Sequence, residues 1–88
     1  MKYAVDHQRV QWRVVDDEVV IVDVDSTYYY GLNRVGTFVW RLLAEEALTL
    51  DEIVARVAAR YRKPAAEVVG DVQAILRSLT EEHLVKEG

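Results

Sequence analysis

The run Val19-Val20-Ile21-Val22-Asp23-Val24-Asp25-Ser26-Thr27-Tyr28-Tyr29-Tyr30-Gly31-Leu32-Asn33 changes character several times along its length. Val19 to Val24 is β-branched at nearly every position. Such side chains lose rotamers in a helix and pack well on a pleated surface, so the segment reads as a strand. Asp25-Ser26-Thr27 reads as a turn, because short polar side chains bond their own backbone. Tyr28 to Leu32 is then a further short strand, and Asn33 is a helix N-cap. Upstream, Val10, Trp12 and Val14 alternate with Gln11 and Arg13, the period of a half-buried strand. Asp16-Asp17-Glu18 interrupts the apolar pattern as a turn. Three strands with such short links predict an antiparallel meander, since parallel neighbours need long crossovers.

Downstream the period becomes helical. Val35, Phe38, Val39, Leu42 and Leu43 form the stripe of a first helix, with Trp40 outside it covering a flank. Ala44 to Leu48 ends that helix. Thr49-Leu50-Asp51-Glu52 is a capping box, in which the Thr49 hydroxyl and the Glu52 carboxylate each satisfy a backbone amide. A second helix carries Ile53, Val54, Val57, Ala58 and Tyr61. Arg62-Lys63-Pro64 breaks it, and Pro64 suits the first turn of a third helix bearing Val68, Val69, Val72, Ile75, Leu76 and Leu79 before Leu84-Val85. The expected architecture is α+β. A three-stranded antiparallel sheet over about residues 10–32 is followed by three helices over about residues 34–82, all in one domain spanning 1–88.

Composition narrows the function classes. The chain has 88 residues, which suffices for one core but not for a deep cleft between lobes. Apolar residues at 51% exclude intrinsic disorder. No apolar run is long enough to span a membrane. Met1 to Val10 holds no hydrophobic signal segment, so a cytoplasmic protein with its true N-terminus is expected. The absence of cysteine removes disulfides, thiolate chemistry and cysteine-based zinc sites. A net charge of −4 argues against nucleic acid, whose affinity comes mainly from phosphate neutralisation.

Catalytic and metal motifs are missing. His7 and His83 lie near opposite termini without ligand-spaced neighbours and read as solvated surface histidines; no metal or other cofactor is assigned. Ser26 and Ser78 lie in no nucleophile-elbow pattern. Asp16, Asp17, Asp23 and Asp25 lack the central glycine and downstream glutamate of a calcium loop and read as acidic hairpin ends. Gly31 and Gly36 have no Lys-Ser/Thr to complete a phosphate loop. The order of strands and helices also suits a winged-helix DNA reader. However, Pro64 to Glu82 carries one cation, Arg77, against Glu67, Asp71, Glu81 and Glu82, and would repel a phosphate backbone.

Tyr28-Tyr29-Tyr30 has two readings. Aromatic residues suit strands on propensity alone. The third strand also lies at the edge of a simple meander, without the charge or proline that usually blunts such an edge. An open aromatic edge fits addition of a peptide strand, or pairing with a second copy of the chain. With Leu32 pointing inward, Tyr28 and Tyr30 share its face and line one groove wall, while Tyr29 points the other way. The third helix supplies the other wall, through Val68, Asp71, Ile75 and the boundary residue Val72, or through the opposite flank at Val69 and Gln73. Asp71 would orient a bound peptide or simply be solvated. Gly70 interrupts the helix, and close packing against another element is its expected reason.

Tyr29-Tyr30-Gly31-Leu32-Asn33-Arg34-Val35-Gly36, followed by Phe38-Val39-Trp40-Arg41-Leu42-Leu43, resembles the "LN-x-x-(G/A)-x-x-x-W-x-L-L" segment of PqqD-like proteins. Leu50-Asp51-Glu52-Ile53-Val54 and the later Asp71-Val72, Ile75-Leu76 and Leu79 continue the series in order, so that the resemblance covers roughly Val10 to Val85. It implies a winged-helix-like domain without chemistry of its own. The leader of a ribosomally made precursor peptide would bind as an added strand on the third strand, here Tyr28, Tyr29, Tyr30, Gly31 and Leu32, packed against the third helix. A separate leader peptidase would receive the precursor, and the resemblance leaves the cyclase open as a further recipient. The YYYGLN pattern in a free-standing chain is most similar to the discrete leader-binding protein of lasso peptide biosynthesis. A pyrroloquinoline quinone precursor-peptide chaperone is the alternative, although that member carries a proline- and glycine-bearing segment where this chain has Asp25-Ser26-Thr27-Tyr28.

Overall fold

Asp16 and Asp17 both adopt positive φ, 51° and 66°, as the two central residues of a type I′ hairpin turn require. That turn joins β2 (Val10–Val15) to β3 (Glu18–Asp23), and Val15 pairs with Glu18. Glu18 therefore opens the second predicted strand instead of closing the turn. The computed structural model describes residues 1–23 and 29–88. Val24, the predicted turn Asp25-Ser26-Thr27 and Tyr28 lie outside the described residues. Beyond them β4 (Tyr29–Gly31) pairs antiparallel with β3, giving the sheet order β2-β3-β4. The expected three-stranded antiparallel sheet followed by α1 (Arg34–Glu45), α2 (Leu50–Tyr61) and α3 (Ala65–Glu81) is present.

A second, two-stranded sheet was not expected. β1 (Tyr3–Val5) pairs antiparallel with β5 (Val85–Glu87), tying the ends of the described chain together. Tyr3 also exchanges backbone bonds of 2.7 and 3.0 Å with Leu48, fastening this sheet to the link between α1 and α2. Three residues per strand are too few for an alternation to show in sequence. After α3, His83 takes a left-handed φ of 61°, and the Leu84 N–H returns to the Leu79 carbonyl. The bond reverses the chain and puts Leu84 in the core.

The helices cover one face of the large sheet. Val19, Ile21, Val39, Trp40, Ile53 and Val72 have no exposed surface. Trp40 is thus a central core residue rather than a flank cover. The core face of α1 is Gly36, Val39, Trp40 and Leu43, rotated away from Val35, Phe38 and Leu42, which are only partly buried. Trp12 reaches across from β2 and meets Trp40 edge to face at 6.3 Å. Asp23, the last residue of β3, is buried and ion-paired with Arg9 at 3.4 Å. His7, though exposed, places Nε2 3.0 Å from the Ala44 carbonyl and so is not merely solvated.

Caps set the helix boundaries. The Asn33 side chain accepts from the Gly36 N–H, and the Thr49–Glu52 capping box is complete. Donation from the Thr49 backbone amide and hydroxyl holds the Glu52 carboxyl below the usual carboxylate range. Pro64 sits at the N-cap of α3 instead of within its first turn. Gly70 is exposed, with open space where a Cβ would stand, so close packing does not explain it.

One junction locks β3, β4 and α1 together. The Leu32 N–H donates to the Val19 carbonyl at 3.0 Å. The Val19 N–H donates to the Thr37 hydroxyl at 3.0 Å, and that hydroxyl donates onward to the Leu32 carbonyl at 3.2 Å. Thr37 therefore completes a strand pair that the start of α1 would otherwise pull open.

Two substitutions test this description. Thr37→Val leaves the buried Val19 N–H without an acceptor and should lower stability by about 1–3 kcal/mol, whereas Thr37→Ser should lose less. Gly70→Ala should raise stability by about 0.5–1 kcal/mol, because nothing obstructs the new methyl group. Thermal unfolding followed by circular dichroism should show the alanine variant melting roughly 2–8 °C higher.

Candidate functional site

Backbone polarity along β4 follows from the junction at Leu32. Paired residues in an antiparallel ladder alternate between exchanging hydrogen bonds and facing away. Leu32 bonds inward to Val19, so Tyr30, which pairs with Ile21, also bonds inward. The N–H and C=O groups of Tyr29 and Gly31 then point to the open side of the sheet. β4 is an edge strand, and these groups are a ready template for one more strand.

Side chains alternate with the same period. Tyr30 and Leu32 lie on the helical side and pack against the core. The Tyr30 hydroxyl donates to Glu82 Oε2 at 3.0 Å, bridging β4 to the end of α3. Tyr29 lies on the outer face and is 74% exposed.

Beside this edge lies a groove of about 280 Å³. Leu32 and Gly36 form one wall, and Ala74, Ile75, Ser78 and Leu79 of α3 form the other. Its depth comes from small residues. A Cβ on Gly36 would lie 3.2 Å from Asn33 Oδ1 and 3.4 Å from Leu32 Cβ, so glycine preserves both the N-cap and the wall. Ala74 and Ser78, one helical turn apart, keep α3 low at the groove's rim.

The structure sorts the residues selected from sequence. Tyr29, Tyr30, Gly31 and Leu32 form or adjoin the edge, and Ile75 lies in the groove across from Leu32. Tyr28 lies outside the described residues. Val68 and Val72 are core residues, 5% and 0% exposed, and do not open to the groove. Asp71 is exposed one turn before Ile75, beyond the groove's lining. Gln73, on the alternative flank, lines a different hollow with Tyr3 and Leu50. Gly36, Ala74 and Ser78 were not selected. The signal for the two α3 residues is the recurrence of small residues at Gly70, Ala74 and Ser78, four apart along a single helix face.

A wider cleft of about 850 Å³ separates α1 from α2, with Phe38 and Tyr61 in edge-to-face contact within it. The helices beside it bond their backbone groups internally, so they offer no template for another strand. Among the described residues, no group of three or more His, Asp or Glu is placed to hold a metal ion. No helix there is long and apolar enough to cross a membrane.

Comparison with known proteins bears on this geometry. No curated protein matches the chain closely enough to serve as a relative. Among solved structures, TbiB1 in complex with the TbiA(beta) leader peptide is similar, with a TM-score of 0.84 and 30% identity. The similarity covers 97% of this chain and 96% of that one. Residues 18–85, from the start of β3 to the start of β5, match the family model of coenzyme PQQ synthesis protein D. By that match the chain belongs to the PqqD family.

Proposed function

We propose that this chain binds the leader segment of a ribosomally synthesised precursor peptide as an added strand on β4, and presents it to a separate leader peptidase in lasso peptide biosynthesis. The observation that carries the reading is the outward-facing backbone of Tyr29 and Gly31 beside the groove of Leu32, Ile75 and Ala74. Support comes from the end-to-end similarity to a protein solved with a leader peptide. The docked strand bonds to Tyr29 and Gly31, and its residue level with Tyr30 points into the groove. That assignment is the same for parallel and antiparallel docking, because neighbours at one level share a face.

The mechanism is positional rather than chemical. Main-chain bonds contribute about 0.5–1.5 kcal/mol each. An apolar side chain buried in the groove adds roughly 1.5–3 kcal/mol and supplies the choice of sequence. Docking the leader makes the encounter of the cleavage site with a recruited peptidase nearly intramolecular. A cyclase would gain in the same way. The second reading, a chaperone for the pyrroloquinoline quinone precursor, is favoured by the family description itself. It uses the same edge and differs in the peptide bound. A duplex DNA reader is disfavoured by Glu67, Asp71 and Glu81 on α3.

Fluorescence polarisation with labelled leader and core halves of a lasso precursor peptide tests the proposal. The leader half should bind 1:1, and the core half should add little. Tyr29→Pro removes an outward amide and should stay folded while losing about three- to tenfold in affinity, with Tyr29→Ala binding better than the proline variant. Tyr30→Pro removes the amide bonded to Ile21 and should damage the fold, read by circular dichroism. Tight binding of the core half alone, or normal folding and binding by both proline variants, would contradict the proposal.

A further inference from the structure

Helix α1 carries more apolar surface than the core consumes. Val39, Trp40 and Leu43 are buried, yet Phe38 and Leu42 on the neighbouring stripe are only partly covered. Both line the cleft of about 850 Å³ between α1 and α2, where Phe38 meets the Tyr61 ring edge to face at 6.2 Å. Three arginines border the same cleft, Arg34 and Arg41 from α1 and Arg60 from α2. Arg60 lies over the Tyr61 ring at 5.5 Å. Among the described residues none of the three is ion-paired, although Asp17 and Glu45 also line the cleft. Arg34 moreover stands in the first turn of α1, where the helix dipole disfavours a cation, so local stability does not account for it. A chain of net charge −4 thus keeps a cationic, aromatic patch on one side.

We propose that this cleft is the surface on which the peptidase docks, through an acidic segment whose carboxylates bracket one apolar side chain. The inference rests on the presentation reading and names the surface that recruitment uses. The apolar side chain packs among Phe38, Leu42 and Tyr61, and the carboxylates take the forked donors of Arg41 and Arg60. Arginine suits this task, because its planar guanidinium bonds a carboxylate bidentately and gives up water more readily than an ammonium group. Arginine and aromatic residues together are also what protein interfaces concentrate. Position favours the same partner. The leader groove uses Gly36 of α1, the cleft uses Phe38 and Arg41, and no residue lines both. Presentation requires leader and peptidase to be held at once, and the two sites lie on different faces of one helix, roughly 10–12 Å across. Asp17 and Glu45 disfavour duplex DNA, whose continuous phosphate backbone they repel.

The test uses the full chain, the labelled leader half and the purified peptidase that cleaves the bound precursor. Biolayer interferometry reads peptidase affinity, and fluorescence polarisation reads leader affinity. The wild type should bind the peptidase with or without saturating leader, and more tightly at low salt. The double variant Arg41→Gln/Arg60→Gln should melt like the wild type and bind the leader equally well. It should lose about tenfold in peptidase affinity, together with most of the salt dependence. Arg41→Lys/Arg60→Lys keeps the charge without the fork and should fall between the two. Equal peptidase affinity for the wild type and the glutamine variant overturns the inference, as does a parallel loss of leader affinity. Sedimentation velocity covers a second copy as occupant: a wild-type dimer that the glutamine variant loses also overturns it. A wild type that binds leader but no peptidase overturns the docking surface and leaves leader binding intact. One that binds neither removes the presentation reading itself.

Discussion

The Thr37 hydroxyl, standing between the Val19 amide and the Leu32 carbonyl, sets the polarity of the whole β4 edge. With Leu32 held against β3, Tyr30 must bond inward as well, and the backbone of Tyr29 and Gly31 is left facing outward. A slip of one residue would turn Tyr29 into the groove and bury the wrong amides. The donor–acceptor relay is itself buried, with Thr37 only 5% exposed, so breaking it strands polar groups away from water. The same threonine is the fourth residue of α1, so the helix and the edge strand are positioned by a single side chain.

Around that junction the molecule divides into a fixed frame and an adaptable edge. Trp40, Ile53, Val57, Val72 and Leu79 pack the helices against one another and against Val19 and Ile21. β4 by contrast is three residues long, paired on one side and braced by the Tyr30–Glu82 bond. An edge with few partners loses little when it adjusts to an added strand, while α3 gives the incoming side chains a firm wall. Short side chains at Gly36, Ala74 and Ser78 keep that wall set back.

Much of this was legible in the sequence because it depended on local chemistry. β-branched runs, the Asp16-Asp17 turn, Asn33 and Thr49–Glu52 each announced their element through backbone preference or capping. What escaped depended on tertiary placement. The face of α1 could be read as Val35, Phe38 and Leu42 or as Val39, Trp40 and Leu43, and only packing against Ile21 and α2 selects the second. Val68 and Val72 satisfied a groove stripe and a core stripe equally well; the structure uses them for the core. β1 and β5 pair ends of the described chain far apart in sequence, and three-residue strands carry too little pattern. Gly70 misled in the opposite direction, since a helical glycine suggests close packing and this one faces open space.

Backbone amide hydrogen exchange, residue by residue and with or without the leader peptide, tests the central claim most directly. Without peptide, the amides of Tyr30 and Leu32 should exchange slowly and those of Tyr29 and Gly31 rapidly. Saturating leader should slow Tyr29 and Gly31 by about tenfold or more, leaving Tyr30 and Leu32 protected as before. New protection at Trp12 and Val14 on the β2 edge, with Tyr29 and Gly31 unchanged, would contradict the account.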